Sequence, residues 1–476
     1  MARVLKECAR VEKSFDADAV HDLRVALRRC RSMAGGLREV DLHPAWRKMK
    51  KSSGKLFGAL GDLRDTQVMR EWVERLAAEG DAVRSRMLEL LAEQEQQGRA
   101  AAERALKHFD RKDWRAWSRE LPERARRVVR DSAVCRLLAL ERFEDARELD
   151  RRARRSRSHT AYHRLRIGLK RFRYTVENFL PRRHAEWGPD LKQLQDLLGD
   201  AHDLDVLWAA LRRTGEVFDA AARTRWKGWI ETTRENRLAQ YRKKMAGPES
   251  LWPVWRTALP EGRRLERAAM AKLCRWASFL DPDPAHAGRV AAMALEVFDD
   301  LGGAGLPAFL SDARFRRILE GAACLHDVGR AEGDAGHHKA SYRLIQDLAP
   351  PHGWTNEDMR WLALVARYHR GAEPKPSHEG YGALSPDEQR GVAWLAAILR
   401  FADSFDSEHD GRITHLETRS SPEAIFVAAR GYTHDLLSAA TIAQKKHLLE
   451  IVSGRPVIVR AEDMRRTPSA LASKAS

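Results

Sequence analysis

The sequence predicts a mostly all-α chain: a duplicated helical bundle, then a second helical module closed by a small α+β appendage. Three observations carry that reading. Residues 1–245 run in long stretches rich in Ala, Leu, Arg and Glu with few prolines. Two sequence blocks in that half occur twice, in the same order, about 140 residues apart. Beyond residue 410 the helical pattern gives way to short β-branched runs.

At 476 residues the chain is about three times a single-domain length, so two or three domains are expected, each able to bury its own core. Hydrophobic residues make up 43% and charged residues 32%, the balance of a globular protein with a heavily charged surface. Cys8, Cys30, Cys135, Cys274 and Cys324 are far apart and form no CxxC pair. That argues against a disulfide framework or a cysteine zinc site and for a reducing compartment. The opening stretch MARVLKECARVEKSFDADAV lacks an apolar run of the signal-peptide kind, and no stretch is apolar enough to span a bilayer. A cytoplasmic protein without membrane contact is expected.

The placement of charge is more telling than its total of +17. Residues 1–250 hold 56 Lys and Arg against 39 Asp and Glu, whereas residues 251–476 hold 29 of each. All the excess lies in the first half, which should therefore meet a polyanion.

Taken in order, residues 1–245 are the first module. Residues 246–262 (AGPESLWPVWRTALPEG) carry three prolines and read as a linker. Residues 263–462 form the second module, with helical runs broken at Asp281–Pro284, Gly302–Pro307, Glu332–Gly336 and Pro350–Gly353. ITHLETR, AIFVAARGY and PVIVRA predict strands around one helix near Leu436–Val452, and residues 463–476 predict a disordered tail. The tryptophans in WRAW, WKGW and LWPVW are expected to pack between helices or at the domain joint. The basic run RRARRSRSH (Arg151–His159) reads as a solvated loop that adds to the local field. No P-loop, dinucleotide fingerprint or serine elbow is present.

The repeat pairs HDLRVALRRCR (His21–Arg31) with HRLRIGLKRFR (His163–Arg173), and LGDLRDTQVM (Leu60–Met69) with LGDAHDLDVL (Leu198–Leu207). At 100° per residue, His21, Arg24, Arg28 and Arg31 fall within about an 80° arc, beside the apolar stripe of Val20, Leu23, Leu27, Cys30 and Ala34. His163, Arg166, Lys170 and Arg173 repeat the arrangement. Cations that border the core line a groove, and crowding them there is costly unless a polyanion binds. The same residues would also suit a salt-bridged helix face, with Asp62, Asp65, Asp200 or Asp203 as partners. The cationic face has no interleaved aromatics, which disfavours nucleic acid and suits a linear anion without bases, best of all inorganic polyphosphate.

The two blocks, HxLRVxxRRxR and LGxxRDxxV, resemble the CHAD family, the conserved-histidine α-helical domain, over roughly residues 1–240. The resemblance implies two four-helix bundles around a basic cavity that binds polyphosphate. By motif it assigns His21, Arg24, Arg28, Arg31, His163, Arg166, Lys170 and Arg173 to the ligand, with Lys51, Lys55 and Lys192 on neighbouring helices as further candidates. The second copy departs from the pattern, with His202 where the first has Arg64.

The second half holds His286, the dyad His326-Asp327, the pair His337-His338, His369 and Asp403, the metal-binding order of HD-type phosphohydrolases. Imidazole and carboxylate together suit a divalent cation such as Mn, Mg, Fe or Zn, which acidifies a water and holds a phosphate oxygen. HAGRVAAMALEVFDDL, LHDVGR, GHHKASYRLI, ARYHRG and ILRFADSFDSEHDGRI, with Lys445 and Lys446 beyond, resemble the C-terminal region of the exopolyphosphatase and guanosine-pentaphosphate phosphatase family over roughly residues 265–462. That resemblance implies a metal held by His286, His326, Asp327 and Asp403. Asp327, His338 and His369 would be catalytic, the two histidines holding a second metal or the substrate phosphate near Arg330 and Arg367. A further histidine of the family pattern falls at Ala340 here, and the actin-like phosphatase domain that accompanies this region in the family has no counterpart in this sequence.

Two readings of function stand at this stage. In the first, the chain is an enzyme that captures polyphosphate and cleaves a phosphoanhydride, or a nucleotide, at the HD site. In the second, it is a non-catalytic protein targeted to polyphosphate granules, with the HD module as scaffold or nucleotide sensor.

Overall fold

Side-chain caps and apolar stripes set the helices of the first unit, Met1–Ala268, in the computed structural model, which describes residues 1–213, 219–304, 307–434 and 437–462. The first copy of the repeat comprises α1 (Ala2–Lys13), α2 (Ala17–Leu37), α3 (Pro44–Ser52), α4 (Gly54–Leu76) and α5 (Ala82–Lys107). α6 (Arg111–Arg126) leads to the second, α7 (Ala133–Ser156), α8 (His159–Phe179), α9 (Pro181–Arg213) and α10 (Ala220–Met245). The duplication holds helix by helix. α2 and α8 both begin at a capping oxygen, Asp16 accepting from the Ala19 N–H and Ser158 from the Ala161 N–H. α9 runs unbroken where the first copy divides into α3 and α4.

Within the copies α1 packs on α2, α2 on α4 and α4 on α5, while α7 packs on α8, α8 on α9 and α9 on α10. The copies meet where α2 lies against α8 and α4 against α9. Leu23 and Leu27 on α2, and Leu165, Leu169 and Phe172 on α8, are buried in the unit's core, each stabilising it by about 1.5–3 kcal/mol. Any side chain at Gly36 would run into the Phe179 ring, so the close approach of α2 and α8 depends on this glycine.

The segment expected to be a linker contains α11 (Leu251–Thr257), whose Trp252 and Trp255 are buried against Phe143 and Phe172. The Trp252 indole donates to the buried Asp150 carboxylate at 3.1 Å. Burying two indoles is what turns this proline-marked stretch into part of the unit.

The second unit starts at Ala269, inside α12 (Gly262–Ala277). α13 (Pro284–Gly303), α14 (Ala313–Leu325), α15 (His337–Gln346), α16 (Asn356–Arg367) and α17 (Pro386–Ser404) follow. α17 is buried almost all round from Val392 to Ser404, and α13, α14 and α16 pack against it. Capping boxes start α16 (Thr355 with Asp358) and α17 (Ser385 with Glu388). β1 (His415–Ser420) pairs antiparallel with β2 (Ile425–Arg430), which pairs parallel with β3 (Val457–Ala461). Between β2 and β3 the expected single helix is two, α18 (Leu437–Lys445) and α19 (His447–Ser453). They part at Lys446, whose ammonium donates to the Val457 carbonyl at 2.6 Å. Residues 463–476, read as a disordered tail, lie outside the described residues.

The cysteine spacing pointed away from disulfides, and the structure corrects this. Cys274 on α12 and Cys324 on α14 are disulfide-bonded, with their Cα atoms 5.5 Å apart. The partners are 50 residues apart in sequence, so only the fold brings them together. No helix among the described residues is long and apolar enough to cross a membrane.

Candidate functional site

His286, His326, Asp327, His337, His369 and Asp403 are all buried and converge in the second unit. α13 supplies His286, the end of α14 His326, and α17 Asp403. Asp327 precedes a short 3-10 turn, Val328–Glu332, that packs on α15. A side chain at Gly329 would strike the His337 and Ser341 backbone, so a glycine is needed for that approach. Ser341 fixes it, accepting from the Gly329 N–H at 2.9 Å and donating to the His326 carbonyl at 2.6 Å.

The hydrogen bonds decide how the imidazoles present themselves. Nδ1 of His326, His337 and His369 lies 2.8, 2.9 and 2.7 Å from the carbonyls of Ala323, Asp334 and Ala366. A carbonyl can only accept, so each Nδ1 carries the proton and each Nε2 is left as a lone pair. Those three Nε2 atoms lie 3.6, 3.0 and 3.6 Å from Asp327 Oδ1, and His337 and His369 Nε2 are 3.2 Å apart. His326 Nε2 is fully buried without a hydrogen-bond partner. Acceptors that face one another in a dry site repel unless a cation or a proton lies between them. The residues therefore fit a divalent cation. Two overlapping sets, His286/His326/Asp403 and His326/Asp327/His369, have their donor atoms within 4.8 Å of one another.

Electrostatics agree with the geometry. Burial pushes the Asp327 carboxyl up, but the positive charge that His326, His337 and His369 carry when a proton sits among them outweighs it and holds it well below the usual carboxylate range. Asp403 is likewise held down against its burial by Lys445, His286, His326 and His369. His369 is driven well below the ordinary imidazole range by burial and by His326, which keeps it a neutral ligand. His286 Nδ1 is 2.7 Å from Asp406 Oδ2 and its Nε2 is 3.2 Å from Asp403 Oδ1. Burial lowers its pKa, yet these carboxylates raise it overall.

His338, expected in this cluster, stands beside it. It is half-buried, its ring centre is 6.5 Å from that of His369, and its Nδ1 has no partner. Burial, His337 and the cations Arg370, Lys339 and Arg367 push it down to about 4. Arg330 reaches Asp327 at 3.3 Å, whereas Arg367 stacks on the Tyr342 and Tyr368 rings. Ala340 is buried against Gly329.

The cationic stripes of the first unit are also brought together, by the packing of α2 on α8. Arg24 donates to the Leu60 carbonyl at 3.0 Å, Arg31 to Ser53 Oγ at 2.9 Å and Arg173 to Gln195 at 2.9 Å. Arg28, Arg166 and Lys170 make no ion pair or hydrogen bond among the described residues. Nor does any of Asp62, Asp65, Asp200 and Asp203 ion-pair with a stripe residue among the described residues; Asp200 pairs with Arg237 instead. A cavity of about 430 Å³ is lined by Arg28, Arg31, Arg38, Lys50, Lys170, Arg171 and Tyr174, among others. His163 faces His202, Nδ1 to Nδ1, at 3.3 Å, and His21, Lys51, Lys55 and Lys192 are exposed.

One expectation about this face is corrected. Phe57 and Tyr174 do lie among the cations, with Arg24 and Arg31 over the Phe57 ring and Arg28, Lys170 and Arg173 over that of Tyr174. Phe57 comes from α4, outside the periodicity of α2 and α8. The rings carry guanidinium groups on their faces, which leaves them poor platforms for stacking bases.

Burial, together with Arg166, Arg24 and Arg28, lowers the Lys170 ammonium to about 8. The unliganded lysine is thus mostly charged at pH 7 and mostly neutral at pH 9. Polyanion affinity should fall across that window by more than in a Lys170→Arg variant, read by titration at constant ionic strength. Stability of the free protein moves the other way. Between pH 8 and the ordinary 10.5 the unfolded chain binds the extra proton, so raising the pH favours the fold.

Residues 1–212 match the CHAD domain and residues 273–450 match domain III of the Ppx/GppA phosphatases. No curated protein matches the chain. The matches agree with the two resemblances read from the sequence, and the cationic groove belongs to the CHAD domain, the His–Asp centre to domain III.

Sequence reasoning named His337 without giving it a role, and it missed Asp406, Lys50 and Arg38. His337, not His338, meets Asp327, a choice set by the contact of α15 with Gly329 that no local pattern marks. Asp406, the second carboxylate on His286, lies three residues beyond Asp403, in the turn that follows α17. Lys50 and Arg38 line the CHAD cavity from outside the repeated block, and no motif marks them.

Proposed function

We propose that the CHAD domain holds inorganic polyphosphate and that domain III, loaded with a divalent cation, hydrolyses a phosphoanhydride. The observation that carries the second half is the buried, unpartnered His326 Nε2 among other lone pairs and carboxylates. Packing alone gives no reason to keep such a set, which costs free energy until a cation arrives. His286, His326 and Asp403, with Asp327, His337 and His369, would hold the cation, which supplies charge to polarise a phosphoryl oxygen and to acidify a water. Arg330, beside Asp327, would grip a phosphate oxygen at the mouth of the site. His338, kept neutral among Arg367, Arg370 and Lys339, would donate or accept a hydrogen bond on the same anion. Burial of the ligands excludes bulk water and strengthens each of these contacts.

The unpaired cations Arg28, Arg166 and Lys170 support the first half. Their mutual repulsion is relieved by a chain of phosphates that passes along α2 and α8. A second reading, a polyphosphate-binding or granule-targeting protein whose domain III is a scaffold or nucleotide sensor, draws on one feature: Lys445 already neutralises Asp403 without any metal. The deciding experiment measures phosphate release from polyphosphate and from a panel of nucleotides with manganese. Release by the wild-type protein, lost in Asp327→Ala, supports the enzyme. Tight polyphosphate binding without release from any substrate supports the second reading.

A further inference from the structure

Among the described residues, Asp281 is a buried carboxylate near the His–Asp centre with one oxygen for which neither the fold nor the ligand set accounts. It lies in the turn between α12 and α13 and is only 6% exposed. Its Oδ1 accepts the Asp283 N–H at 2.8 Å, and Asp283 in turn caps α13, the helix that carries His286. Its Oδ2 is buried with no hydrogen-bond partner. An orphaned buried carboxylate oxygen is destabilising, and an alcohol could make the Oδ1 contact without it.

Burial, and the field of Asp327, push the Asp281 carboxyl above the ordinary range, while His326 and His286 pull it down. Asp281 is thus within electrostatic reach of three residues of the centre, yet it is absent from both sets of converging donors. That is the position of a group that meets a ligand's own hydrogen atoms rather than a cation.

We infer that Asp281 is a working carboxylate of the centre: its free Oδ2 accepts a hydrogen bond from the water held there and takes that water's proton during hydrolysis. This rests on the phosphoanhydride reading above. In the step, the water oxygen bonds to phosphorus as the bridging P–O bond breaks; the water's proton passes to Asp281 Oδ2, and the bridging oxygen leaves with the departing phosphate. Asp281 then returns the proton to solvent.

The test uses the full chain with Asp281→Asn, which keeps the Oδ1 contact and removes the charge. Three quantities are compared with wild type: thermal midpoint of the metal-stripped protein, manganese affinity by calorimetry, and phosphate release from polyphosphate. A carboxylate retained for function at a cost to the fold gives a raised thermal midpoint, manganese affinity weakened about tenfold or more, and release reduced about 100-fold or more. A lowered midpoint with unchanged manganese affinity means that Asp281 only braces the α12–α13 turn, and overturns the inference. If the wild-type protein releases no phosphate, the hydrolytic reading fails on its own. Unchanged manganese affinity in the variant would still count against Asp281, and weakened affinity would keep it as a carboxylate of the cation's hydration shell.

Discussion

Polyphosphate binding should be abolished when Arg28→Glu and Lys170→Glu are combined in the full chain, while metal content stays that of wild type. Arg28 and Lys170 come from the two copies of the repeat, line one cavity, and share the Tyr174 ring. Neither has a carboxylate partner, so neither reversal breaks an ion pair within the fold. Each reversal replaces an attraction to phosphate by a repulsion. At about 5 Å and an effective dielectric near 20 that is several kcal/mol per site, so a loss of at least about 100-fold is expected. Anisotropy of a labelled polyphosphate of defined length, at physiological salt, reads the effect. Binding that survives the double reversal would show that the stripes are structural.

Asp403→Ala should produce the largest loss of stability in domain III. Asp403 is buried, receives Lys445 on one oxygen, and has His286 on the other at 3.2 Å. Removing the carboxylate leaves the Lys445 ammonium without its counter-charge and takes one of two carboxylates from His286, and such broken buried pairs typically cost about 3–5 kcal/mol. Urea unfolding of the metal-stripped protein measures it. The pH dependence has a definite sign. A carboxyl held well below its ordinary range contributes fully above that range and loses its contribution only as the pH falls towards the folded-state value. The wild-type advantage over Asp403→Ala should therefore persist at neutral pH and shrink in strong acid. A variant as stable as wild type would mean that Lys445 and His286 find other partners.

Much of this was legible in the sequence because repetition and motif order survive without coordinates. His21–Arg31 and His163–Arg173 announced α2 and α8, and the strands at 415–420, 425–430 and 457–461 followed from β-branched runs. What stayed hidden depends on distance in space. Cys274 and Cys324 meet through folding alone, and Phe57 joins the cationic stripes from another helix. The choice between His337 and His338 turns on a 100° step of α15, set by the Gly329 contact rather than by any local pattern. Trp252 and Trp255 were expected to pack between helices, but the prolines around them hid α11 and its place against Phe143 and Phe172.

The central claim is that converging Nε2 lone pairs and carboxylates in domain III form a cation site. Calorimetric titration of manganese into the metal-stripped full chain, beside the His326→Ala variant, tests it most directly. The account predicts saturable binding by wild type that weakens at least about 100-fold in the variant, because His326 belongs to both donor sets. Equal binding by the two proteins, or none by wild type, would contradict it.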